Sequence, residues 1–138
     1  CVPVLVVTVS SPLNGTRLAD IYGHLGTQYK LFSRRFISEL QYNGAYATFL
    51  LAAIDSPVLS CCSPDVKQYV TYGSEHDLIV FPVDSSVPRR FIHVPHKRRI
   101  VRHQGHVSTL WYNINAIFQE DVLPFVLKNT LSRPKDAL

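Results

Sequence analysis

A chain of 138 residues with 46% hydrophobic and 11% aromatic content can bury a core as one domain and is too apolar to be disordered. Charged residues make up only 17%, under the usual share of about a quarter, so part of the surface is expected to be buried or covered by a partner. The formal net charge is +4, and no apolar run approaches the ~18 residues of a membrane span; the longest, Ala45–Ile54, is interrupted only by Thr48.

Val2–Val9 is β-branched and apolar on both parities, which predicts a strand buried on both faces. Ser10–Gly15 carries turn chemistry. Thr16 then stands as N-cap of a helix with Leu18, Ile21, Tyr22, Leu25 and Tyr29 at helical spacing. Phe32, Phe36, Ile37 and Leu40 predict a second helix that ends before Asn43-Gly44. Ala45–Ile54 suits a buried helix or a central strand, and its alanines favour the helix. Ser56–Asp65 reads as loop, Val66–Tyr72 as a strand, and Leu78–Val83 as another strand with Pro82 near its end.

Arg89–His106 (RRFIHVPHKRRIVRHQGH) predicts a β-hairpin, with Arg90–Val94 and Ile100–His103 as arms, a His96-Lys97 turn, and Ile92 facing Val101. Beyond it, Ser108 caps a helix bearing Leu110, Ile114, Ile117 and Phe118, and Pro124 breaks or restarts that helix before Leu131. Part of the apolar surface here, Trp111 included, is expected to dock in a larger assembly. These elements predict a single α+β domain over 1–138, with a mixed sheet of about five strands, packed helices and a helical C-terminus.

The hairpin stretch holds six of the 14 Lys+Arg and four of the six His, and no acid lies between Asp84 and Glu120. The rest of the chain sets eight Lys+Arg against ten acids, so a −2 body carries a +6 strip. Lys97, Arg98, Arg99 and Arg102 fall at or beside the expected hairpin tip, with Arg89 and Arg90 at its base. Together with His103 they form the expected contact for a polyanion, RNA first, because each neutralised phosphate releases counterions. Phe91 or Tyr112 could offer a ring for an unpaired base. The expected function is therefore non-catalytic.

Other chemistry is less supported by the residues. His93/His96 and His103/His106 share a spacing of three, but residues three apart on a strand face opposite ways and neighbouring cations repel a metal, so no metal or cofactor is expected. Cys61 or Cys62, before Ser63-Pro64-Asp65, could act with a histidine in a hydrolase, the alternative function. A protein partner with an acidic surface is a second alternative. Ser10–Gly15 lacks the glycines and lysine of a phosphate loop. Cys1, Cys61 and Cys62 make no disulfide framework and suggest an intracellular protein, against which stands the sequon Asn14-Gly15-Thr16. With Cys first and no Met, the chain is expected to be a processed product or a piece of a longer one.

Overall fold

A computed structural model describes residues 3–29, 33–56 and 67–131. The class is α+β with a helical C-terminus, as expected, but the sheet differs. Three strands are present among the described residues rather than about five, and all run parallel. Strand β1 (Val4–Val9) and β3 (His96–Val101) flank a central β2 (Lys67–Ser74). Val4 pairs with Lys67 through to Val9 with Tyr72, and Tyr69 pairs with His96 through to Ser74 with Val101.

Between β1 and β2 come α1 (Arg17–Gln28), α2 (Arg34–Leu40) and α3 (Ala45–Ile54). Thr16 caps α1 by accepting from Leu18 N at 3.3 Å, and Ser33 caps α2 by accepting from Phe36 N at 3.1 Å. Gly23 lets α1 approach α2: a Cβ there would lie 2.3 Å from Ile37 Cγ2. After β3 follows α4 (His106–Ala116), a π-helical stretch at Ile117–Val122, and α5 (Leu123–Leu131). The π turn suits Pro124, whose ring would collide with the carbonyl four residues back in a regular helix.

Because paired residues of a parallel sheet point to the same side, the register sorts the core into two layers. Val6, Tyr69, Phe91 and Val94 pack with Leu51 and Ile54 of α3 on one face. Val7, Val9, Val70 and Tyr72 pack with Ile117 and Val122 on the other. The central strand is buried on both faces, while β1 is only partly so.

The two expected strands that did not form fail for one reason. Leu78–Val83 gives its N–H groups to side chains instead of a ladder: Ile79 N and Val80 N donate to Asp77 Oδ1 at 2.8 and 2.9 Å. Arg90–Val94 does the same. Ile92 N, His93 N and Val94 N donate to the Asp55 carboxylate at 2.7–3.2 Å. The hairpin is therefore replaced by a loop followed by one edge strand, His96-Lys97 opens β3 rather than turning, and Ile92 is exposed. Val107, Trp111, Ile114 and Phe118 also stand exposed along α4 and its extension. No helix among the described residues is long and apolar enough to cross a membrane.

Candidate polyanion interface

The register decides where the basic strip goes. Lys97 and Arg99 share a face with Val70 and Tyr72, beneath the C-terminal helices, whereas Arg98 shares the opposite face with Thr71. The seven expected contact residues consequently divide into three groups.

Lys97 and Arg99 are held by the protein's own carboxylates. Asp121, in the π turn, has a fully buried side chain that accepts from the Tyr72 hydroxyl at 2.7 Å. Its other oxygen receives no hydrogen bond and is balanced by Lys97 Nζ at 3.5 Å and Arg99 Nη2 at 3.8 Å. Arg99 also reaches Glu120 Oε2 at 3.2 Å. A buried carboxylate is costly without such compensation, so these two cations are structural. Burial, then the bond to Asp121, raises the Tyr72 phenol far above its ordinary range.

Arg102 and His103 lie past the far end of β3. Arg102 Nε meets the exposed Glu75 at 3.4 Å, a surface pair that contributes little. His103, at φ +58°, stacks its ring on His76 at 4.9 Å, and its N–H donates to His76 Nδ1 at 3.2 Å. Beside them the buried Asp77 takes His106 Nδ1 at 2.9 Å, which ties the start of α4 to the turn after β2.

Arg89, Arg90 and Arg98 form the third group. No carboxylate among the described residues pairs with any of them. Arg98 Nη2 donates to Val87 O at 3.3 Å, which brings its guanidinium within two residues of Arg89. Arg90 and Arg98 both act on His96, whose pKa is lowered by burial first, then by Arg98, with Arg90 adding and Asp55 opposing. His96 Nε2 lies 2.9 Å from Thr71 Oγ1, and its ring stacks on Phe91 at 4.3 Å. Phe91 is thereby buried and its ring already covered, and Tyr112 is on α4.

Arg89 also lines a cleft of about 520 Å³ between α3 and residues 84–91. A polar chain runs along it: Asn14 Nδ2 donates to Asn43 Oδ1 at 2.6 Å, and next to Asn43 in sequence the Tyr42 hydroxyl donates to Asp84 Oδ2 at 2.5 Å. The Arg17 guanidinium sits 5.3 Å over the Tyr42 ring. The bond to Asp84 is the main cause of a raised Tyr42 pKa. Nothing in the sequence marks this chain, since its members are separated by up to 70 positions.

The remaining sequence candidates resolve as follows. The backbone N–H groups of Ser10 and of Leu13 to Leu18 are already bonded within the protein, so Ser10–Gly15 does not present the row of free backbone donors that a phosphate loop does. Thr16 Oγ1 of the sequon is buried against Ile79 O at 2.7 Å. Cys1, Cys61 and Cys62 lie outside the described residues. Among the described residues no three His, Cys, Asp or Glu gather to hold a metal. Comparison with family models, curated proteins and solved structures finds no match.

Proposed function

We propose that the chain is a non-catalytic domain that binds a polyanion, RNA in the first place, through Arg89, Arg90 and Arg98. The observation that carries this reading is the partition of the strip. Five cations and a histidine were candidates besides Arg98, yet Lys97, Arg99 and Arg102 face the protein's own acids, and of the three arginines left over Arg90 and Arg98 act on His96 while the exposed Arg89 precedes Arg90 in sequence. Such a patch grips backbone phosphates and reads little sequence by itself.

The test is fluorescence anisotropy of a labelled single-stranded RNA of about 12 nucleotides at low salt, with the Arg89→Ala, Arg90→Ala, Arg98→Ala triple variant beside the parent chain. The reading expects saturable binding that falls at least tenfold in the variant. It is abandoned if the parent does not bind, or if poly-glutamate displaces RNA at equal charge concentration, which would favour an acidic protein partner.

A further inference from the structure

We infer that the cleft beside Arg89 takes one unpaired nucleobase carrying an exocyclic amine, adenine, cytosine or guanine rather than uracil, from the same bound strand. The inference rests on the RNA-binding reading above and adds a specificity to it. Three features of the cleft point this way.

First, two hydrogen bonds orient its polar groups. Asn14 donates to Asn43, and Tyr42 donates to Asp84. Among the described residues no hydrogen bond is made to Asn14 Oδ1 or Asp84 Oδ1, and both are acceptors. A matching ligand edge must donate, as the exocyclic amino groups of adenine, cytosine and guanine do and the carbonyls of uracil do not.

Second, charge changes sign from wall to mouth. Asp84 and Asp55 line the interior, and the Asp55 carboxylate already accepts from three backbone N–H groups. Arg89 lines the same cleft and is exposed, with Arg90 next in sequence. A phosphate is therefore repelled inside and held at the rim, the polarity of a nucleotide with its base inward.

Third, Leu51, Ala52, Pro88 and Phe91 supply apolar walls. A cleft of mixed apolar walls and few convergent polar groups is the usual form of a small-ligand site, and RNA readers commonly splay single bases into such places.

The experiment compares binding of nine-residue oligouridine with the same strand carrying a central A or C, by anisotropy at one salt concentration. The full chain is expected to prefer the A and C strands by about tenfold, the discrimination of one well-matched hydrogen-bonded edge. Asp84→Asn, which can turn a donor into the cleft, and Asn14→Ala, which removes the other acceptor without touching Tyr42, should each reduce that preference several-fold. If the three strands bind equally, or uridine is preferred, the inference fails while the arginine patch stands. If none binds, the RNA reading itself fails.

Discussion

The salt dependence of RNA binding can be worked out from the partition of the strip. A single-stranded partner releases counterions with a log–log slope of about −0.7 per phosphate contacted. Three free arginines, Arg89, Arg90 and Arg98, therefore give a slope near −2, whereas all six cations of the strip would give about −4. Between 50 and 200 mM salt the first case loses about 20-fold in affinity and the second about 300-fold, an easily resolved difference. Titrating a labelled single strand over this range measures it. Arg98→Ala should flatten the slope by about 0.7, and Lys97→Ala and Arg99→Ala should leave it unchanged. These last two should instead lower stability, because they strip charge from the buried Asp121. A slope near −4, or a loss of slope on replacing Lys97 equal to that on replacing Arg89, refutes the partition.

Further outcomes follow from the same contacts. Tyr72→Phe leaves Asp121 short of its hydroxyl donor and should cost about 1–3 kcal/mol in urea unfolding. Since the folded state keeps the Tyr72 proton where the unfolded chain releases it near pH 10, the parent should lose stability as pH rises past that value, and the variant should lose less. His96 has the opposite sense: its depressed pKa means stability is present above the unfolded value of about 6.5 and lost as pH falls below it, a loss that His96→Gln should lessen between pH 7.5 and 5.5. Asp55→Ala frees three backbone N–H groups and should cost about 1–3 kcal/mol, with faster hydrogen exchange at Ile92–Val94. Gly15→Ala should lower Tm, by more than about 1 kcal/mol in stability, because φ is +73° and a Cβ would sit 2.0 Å from Gln41 O.

Local signals in the sequence held in part. Thr16 caps α1 as expected and β2 carries its own apolar pattern, but Ser108, expected to cap α4, lies inside its first turn, where its hydroxyl accepts from the N–H of Gly105, the residue that starts the helix. The strand count was not legible, because Leu78–Val83 and Arg90–Val94 have strand-like side chains but surrender their N–H groups to carboxylates. One of these, Asp55, is 37 positions from Ile92, and no periodicity reports such a capture. Charge followed the same rule. The excess of cations was plain from composition, but which of them stay free depends on the parallel register of β3 and on helices that return Glu120 and Asp121 to it.

Backbone ¹⁵N chemical-shift mapping of the full chain during titration with a short single-stranded RNA addresses the patch directly. The account predicts perturbations at residues 89–92 and around Arg98, spreading to Asn43 and Ala52 along the cleft, with α4 and residues 102–106 still. Perturbations centred instead on Glu120–Asp121, or on Arg102–His106, would contradict it.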